Sequence, residues 1–298
     1  MHIPSVHQRF KKLFPIDNKY LIFAVYSMVR QYVICIFSVL MLLFASCSKY
    51  NRVVKSQDYN EKLKAAEKYY AKKDYFRALT LYEQLQNYYS ATPKAEEMMY
   101  YNAYCNYGLR QYTIAGYLFK NYVENYPAGK HAEECYYMYA NCIMEETYSV
   151  ELDQSNTLKA IEEYKIFATL FPESKYIDQC NANIDKMRNK LAEKTYRNAK
   201  LYYQVEDYKA AIVALNNAIK DFPDLPQREE VEFLIVKSNF LLAKNSVEEK
   251  KSERYQNTFK AYQSFIESYP TGKFRKEAEY IRMQTENQLK KLSNDNKS

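Results

Sequence analysis

The chain has 298 residues, of which 47% are apolar, 33 are tyrosine and none is tryptophan. With only four glycines, it lacks the turn residues that sheets and barrels need, so we expect a mostly helical protein with a sizeable core. The net charge is +7, but residues 1–46 carry +4 of it. Because the remaining charges are interspersed, nucleic acid is not expected as a partner.

The apolar run near the N-terminus ends in Phe44-Ala45-Ser46-Cys47. Small residues directly before a cysteine at the end of such a run are typical of a bacterial lipoprotein processing site. We therefore expect cleavage before Cys47 and a lipid, such as palmitate, on its thiol. The run from Tyr32 to Ala45 is shorter than the about 20 residues that cross a bilayer, and it suits a signal-peptide core. Translation is expected to start at Met28 rather than Met1, and an uncleaved transmembrane anchor is the alternative.

After the leader, four prolines each follow an aromatic residue, and they lie 45, 51 and 47 residues apart. A small residue and two further core positions precede each proline at helical spacing. This repeated spacing predicts the second helix of a tetratricopeptide repeat. The dipeptides are Tyr126-Pro127, Phe171-Pro172, Phe222-Pro223 and Tyr269-Pro270; the small residues are Ala115, Ala160, Ala211 and Thr258; the further positions are Phe119, Tyr164, Leu215 and Tyr262, then Tyr122, Phe167, Ala218 and Phe265.

The repeats predict an all-α protein, a tetratricopeptide-repeat superhelical solenoid of about five helical hairpins plus a C-terminal capping helix. An earlier unit runs from about Asn60 to Tyr89, and Asp74 and Asp207 are expected N-caps of second helices. The capping helix is predicted over Lys273–Leu292. Two polar loops are expected near residues 145–156 and 245–252, and residues 293–298 are expected to form a disordered tail.

No pattern of residues supports catalysis. The chain has no glycine-rich phosphate loop and no metal-spaced Cys/His cluster, and His131 is the one histidine after the leader. We therefore expect a protein that is not an enzyme, with no metal and no cofactor beyond the covalent lipid on Cys47. Cys105, Cys135, Cys142 and Cys180 are expected either as buried core residues or, for Cys105 and Cys142, as a disulfide.

Tyrosines recur at the positions that line the inner groove of tetratricopeptide folds, which are the fifth, ninth and twelfth of each first helix. Such side chains offer a large contact area with a polar tip, which suits peptide recognition. Packing in the core is the alternative, because the register could slip by one residue. The candidate groove residues are Tyr70 in the first unit, Tyr100, Tyr104 and Tyr107 in the second, and Tyr137 and Asn141 in the third.

The segment Tyr126-Pro127-Ala128-Gly129-Lys130-His131-Ala132-Glu133-Glu134-Cys135-Tyr136-Tyr137-Met138 resembles the link between repeats in the BamD family. Residues 153–160 and 171–176 resemble that family's third-repeat loop and helix. Together with the lipid cysteine and the repeat number, the resemblance covers nearly all of residues 47–292. The chain departs from the family at Asp224-Leu225-Pro226, where Gly or Ser followed by Lys is usual.

The resemblance implies an outer-membrane lipoprotein scaffold of the β-barrel assembly (BAM) complex, on the periplasmic side of the membrane. Its implied partners are a BamA-like protein with POTRA domains and a β-barrel, and unfolded outer-membrane protein precursors. The implied division of the chain is a signal peptide over 1–46, a lipidated tether over 47–58, N-terminal repeats with the substrate groove over 59–200, and a BamA-docking half over 201–292.

Two other functions remain open from the sequence. One is a different periplasmic tetratricopeptide adaptor, which would coordinate cell-envelope work or division. The other is a glycan-binding lipoprotein of the SusD kind, although such proteins are about twice as long and often use tryptophan, which this chain lacks.

Overall fold

The computed structural model describes residues 28–34 and 49–295, so that Cys47 and its processing site lie outside the described residues. Every regular element in the described part is a helix, which confirms the predicted all-α class. No helix among these residues is both long and apolar enough to cross a membrane. Residues 28–34 and 49–55 are helical, and eleven longer helices follow: α1 (Tyr59–Ala71), α2 (Tyr75–Tyr89), α3 (Ala95–Gly108), α4 (Tyr112–Asn125), α5 (Ala132–Glu145), α6 (Ser155–Leu170), α7 (Ile177–Gln204), α8 (Tyr208–Asp221), α9 (Arg228–Lys244), α10 (Glu248–Ser268) and α11 (Arg275–Asp295).

The chain divides into two compact units, one ending at Leu109 and the other beginning at Arg110. In the first unit, α1 and α2 form a hairpin and α3 packs against α2. The core of this unit contains Ala66, Ala78, Leu81, Tyr82 and Leu85, all of which are fully buried.

The short helix over residues 49–55 belongs to the first unit. Its Val53 is buried in the core of that unit, and the ring of Tyr50 meets the ring of Tyr69 edge-on at 5.5 Å. Part of the tether predicted over residues 47–58 is therefore folded onto the first hairpin.

In the second unit, each helix from α4 to α11 packs against the next one along the chain. Helix α9 also contacts α7 and α11, so the first helices of successive hairpins stack side by side. This is the arrangement of tandem helical repeats, in which each repeat buries its apolar face against its neighbour. Helix α11 closes the stack by packing on both helices of the last hairpin, as the sequence predicts for a capping helix.

The repeated core positions are buried, as their spacing before each proline predicts. The small residues let neighbouring helices approach closely, while the larger residues fill the space between helices. Eleven of the twelve repeat positions named above are at most 1% exposed, and the other, Tyr262, is 7% exposed.

Each aromatic-proline junction has the same backbone hydrogen bonds. The amide of the aromatic residue donates to the carbonyl four residues earlier, as from Tyr126 to Tyr122 and from Phe222 to Ala218. The third residue after the aromatic one then donates back to it, as from Gly129 to Tyr126 and from Leu225 to Phe222. Leu225, which departs from the usual sequence, is buried in the core and keeps the junction intact.

Both predicted N-caps are confirmed. The Asp74 side chain accepts a hydrogen bond from the Arg77 amide, and the Asp207 side chain accepts one from the Ala210 amide. Asp58 caps α1 in the same way. Each such side chain satisfies an amide that the first turn of a helix leaves without a partner.

Two boundaries differ from the sequence expectation. Helix α10 begins at Glu248, inside the loop expected over residues 245–252. The negative charges of Glu248 and Glu249 in its first turn interact favourably with the positive end of the helix dipole, which stabilises a helix that begins here. Helix α11 continues to Asp295, so that the first residues of the expected disordered tail are helical.

Candidate functional site

One continuous aromatic cluster of the first unit contains Tyr70, Tyr82, Tyr100, Tyr101 and Tyr104. Tyr101 of α3 stacks on the buried Tyr82 with ring centroids 5.1 Å apart, and it meets Tyr70 at 5.0 Å. Tyr100 lies 5.3 Å from Tyr101 and 4.7 Å from Tyr104. The cluster therefore runs from the core at Tyr82 to the half-buried rings of Tyr100 and Tyr104.

Carboxylates border this cluster. Glu67 of α1 and Glu97 of α3 are both exposed, and both carboxylates influence the hydroxyl group of Tyr101. Burial raises the pKa of Tyr101, and the charges of Glu97 and Glu67 raise it further. The Tyr101 hydroxyl is therefore protonated at neutral pH and available as a hydrogen-bond donor.

The predicted groove residues of the first unit thus fall into two kinds. Tyr70 packs against the core, where its ring also meets those of Tyr75 and Tyr82. Tyr100, Tyr104 and Tyr107 are half-buried and follow one another on one face of α3. The structure brings Tyr70, Tyr100 and Tyr104 together through Tyr101, which is the member that sequence reasoning missed.

The predicted residues of the second unit lie against its core. The ring of Tyr137 stacks on that of Tyr176 at 4.3 Å, and burial raises the pKa of Tyr137. Asn141 is 7% exposed, and its Oδ1 accepts a hydrogen bond of 2.6 Å from the Tyr164 hydroxyl. The Asn183 amide donates to the same hydroxyl at 2.9 Å, so Asn141 belongs to a buried network that fixes α5, α6 and α7 together.

An exposed apolar patch lies at the junction of α7 and α8. Val205 is 63% exposed and Val213 is 58% exposed, and Leu201 and Tyr202 near the end of α7 are 55% and 45% exposed. Tyr202 and Val213 border one shallow depression together with Ala210 and Ala214. Sequence reasoning missed this patch, although its apolar residues stand at positions that a solvated helix would fill with charges.

Cys105, Cys142 and Cys180 are buried free thiols, and Cys135 is also fully buried. Burial raises the pKa of the Cys105 thiol to about 12 and that of Cys142 to about 12. These thiols are therefore protonated and unreactive at neutral pH. Among the described residues, no group of three or more His, Cys, Asp or Glu side chains could hold a metal ion.

The folded units define the class of protein. Tandem antiparallel hairpins with small residues at the crossings and an aromatic-proline stop after each second helix form a tetratricopeptide-repeat fold. A model of the YfiO family, described as outer membrane lipoprotein, matches residues 55–254 and 199–292. The chain belongs to this family of outer membrane lipoproteins.

No curated protein matches the chain significantly. Among solved structures, the chain is similar to that titled "TPR2AB-domain:pHSP90-complex of yeast Sti1", with 13% sequence identity and a TM-score of 0.36. That likeness covers 76% of this chain and 98% of the other.

Proposed function

We propose that this lipoprotein is an adaptor of the β-barrel assembly complex, anchored through a lipid on Cys47 to the periplasmic face of the outer membrane. It binds a BamA-like protein with POTRA domains and holds unfolded β-barrel precursors during insertion. The observation that carries the proposal is the family match, which covers residues 55–292 and so includes both the aromatic cluster and the apolar patch.

The aromatic face of α3 supports the part of the proposal that concerns precursors. Tyrosine rings bind apolar and aromatic side chains of an extended peptide, while their hydroxyls pair with its backbone. Such a face accepts many different peptide sequences that carry an aromatic residue, as a receiver of many precursors requires. In the second unit, the half-buried ring of Tyr137 is a separate candidate contact for a peptide, and the buried Asn141 supports the packing of that unit by fixing Tyr164.

The apolar patch supports docking of the barrel partner in the C-terminal half, over residues 201–292. An exposed cluster of apolar side chains bordered by polar ones is typical of a protein-binding surface. Lys209 and Asp207 line the same depression as Tyr202 and Val213, so polar groups lie beside the apolar side chains there.

Affinity purification of the full, lipid-modified chain from membranes in mild detergent tests the proposal. We expect a POTRA-bearing β-barrel protein to co-purify stably. We expect the double variant Val205→Asp and Val213→Asp to lose this partner while it remains folded, because a charge at each position opposes burial. The control is Leu158→Asp, which places one such charge on α6 at a side chain that is 58% exposed.

Three results would overturn all or part of the proposal. If the wild-type chain purifies without any such barrel protein, the BAM assignment is wrong and another periplasmic adaptor function takes its place. If the barrel protein co-purifies equally with the double variant, docking occurs elsewhere. If Leu158→Asp loses the partner as well, the effect is not specific to the patch.

A further inference from the structure

We propose that the tyrosine face of α3 selects a peptide segment in which a lysine or arginine stands beside an aromatic residue. Glu67 and Glu97 bind the cation, and Tyr100 and Tyr104 bind the aromatic ring. This inference rests on the proposed function, in that it requires the face to receive unfolded segments, and it adds the chemical class of segment that is preferred.

The carboxylates and rings share one surface because of their spacing. Glu97, Tyr100, Tyr101 and Tyr104 stand at i, i+3, i+4 and i+7 of α3, which places them along one helical face. Glu67 comes from α1, three residues before Tyr70, whose ring meets that of Tyr101. Two carboxylates from different helices therefore converge on one aromatic group.

The two carboxylates of this surface form no ion pair with the described residues. Within the part of the chain that the structure describes, neither Glu67 nor Glu97 belongs to an ion pair, although twelve such pairs involve other residues. Lys64 and Lys68 are close to Glu67 in the sequence of α1, but among the described residues neither lysine belongs to an ion pair. The surface therefore presents two carboxylates beside aromatic rings, which is complementary to a cation with an apolar neighbour.

The interaction chemistry favours a basic side chain over other guests. Aromatic faces attract ammonium and guanidinium groups, and a carboxylate adds a charge-assisted hydrogen bond. The chain itself pairs these groups elsewhere in the first unit: the Lys62 ammonium lies 5.3 Å from the centroid of Tyr59, and that of Lys94 lies 5.0 Å from the centroid of Tyr89. An acidic guest would instead be repelled by both carboxylates.

Binding of three matched peptides to the detergent-solubilised full chain tests the inference. The peptides are unstructured, share two aromatic residues and differ only at one position, which is Lys, Gln or Glu. We expect the Lys peptide to bind about tenfold more tightly than the Glu peptide, with a difference that shrinks as salt is added. Fluorescence anisotropy of labelled peptides measures the three dissociation constants.

The variants locate the effect. The double variant Glu67→Gln and Glu97→Gln is expected to bring the three dissociation constants together while leaving that of the Gln peptide unchanged. The control is Glu83→Gln, which removes one negative charge from an exposed position on α2 and should keep the preference. Both positions of the double variant are exposed, so the fold is expected to persist.

Each other result has a definite meaning. Equal binding of the three peptides to the wild-type chain overturns the inference but leaves the proposed function standing. A preference that survives in the double variant shows that the cation binds elsewhere and also overturns it. If no aromatic peptide binds at all, the proposed peptide-binding function fails as well.

Discussion

At the scale of single residues, the buried hydrogen-bond network of the second unit shows how polar groups specify the packing of three helices. The Tyr164 hydroxyl donates to Asn141 and accepts from Asn183, and all three side chains are buried. A buried polar group without a partner is costly, so the three groups depend on one another. The network therefore fixes the register of α5, α6 and α7.

Removal of the shared hydroxyl is expected to destabilise the protein. Tyr164→Phe keeps the ring but deprives Asn141 and Asn183 of a partner, which should lower the free energy of unfolding by about 1–3 kcal/mol. Urea denaturation followed by circular dichroism measures the change. Tyr148→Phe, at a side chain that is 56% exposed, should change stability by less than about 0.5 kcal/mol. A Tyr164→Phe variant as stable as the wild type would show that the network contributes nothing.

At the scale of helices and turns, three of the first helices are followed, within the described residues, by a non-glycine residue in the left-handed conformation. Lys73, Arg110 and Glu206 follow the ends of α1, α3 and α7 with positive φ angles of 59°, 60° and 64°. Helices commonly end at such a position, where glycine carries no steric penalty. Other residues in this conformation cost roughly 1–2 kcal/mol. These turns therefore store strain that a single substitution can relieve.

We expect Glu206→Gly to stabilise the protein by about 0.5–1 kcal/mol, because glycine adopts the left-handed conformation freely but gains entropy in the unfolded chain. A glycine three residues later, in the variant Lys209→Gly, lies inside α8 and should instead destabilise the protein by up to about 1 kcal/mol. Thermal unfolding of both variants shows whether each one has a higher or a lower melting temperature than the wild type. A lower melting temperature for Glu206→Gly would contradict this explanation of the turn.

The sequence predicts the repeats well because one physical pattern recurs at each of them. A small residue such as Ala160, a ring such as Phe167 and a proline such as Pro172 act within one hairpin, so that local spacing is enough. The start of α10 is not predictable in the same way. Residues 245–252 are polar, and the acidic first turn that begins the helix also occurs in loops.

The candidate site is less predictable because its geometry depends on contacts between helices. Spacing along α3 places Tyr100 and Tyr104 on one face, but it does not reveal that Tyr101 stacks on Tyr82 of α2. Likewise, the burial of Asn141 follows from a hydroxyl on α6 and an amide on α7. A one-residue difference in helical register decides between groove and core, and only tertiary packing sets it.

At the scale of the whole molecule, the two units carry different candidate surfaces. The first unit, up to Leu109, presents the aromatic and acidic face of α3, while the second presents the apolar patch near Val205 and Val213. Separate surfaces suit an adaptor, because one partner can be held while another is exchanged. A lipid on Cys47 would add a third attachment and raise the local concentration of the protein at the membrane.

Crosslinking of a barrel precursor to the full chain tests the central claim most directly, with the wild type compared to the double variant Tyr100→Ala and Tyr104→Ala. We predict that the variant crosslinks several-fold less while co-purification of the barrel partner is unchanged, because we propose that the rings belong to the receiving face and not to the docking surface. The control Tyr148→Ala removes an exposed ring from the loop before α6 and should crosslink normally. Unaltered crosslinking in the double variant, or loss of its fold, would contradict the claim that these tyrosines form a precursor-binding face.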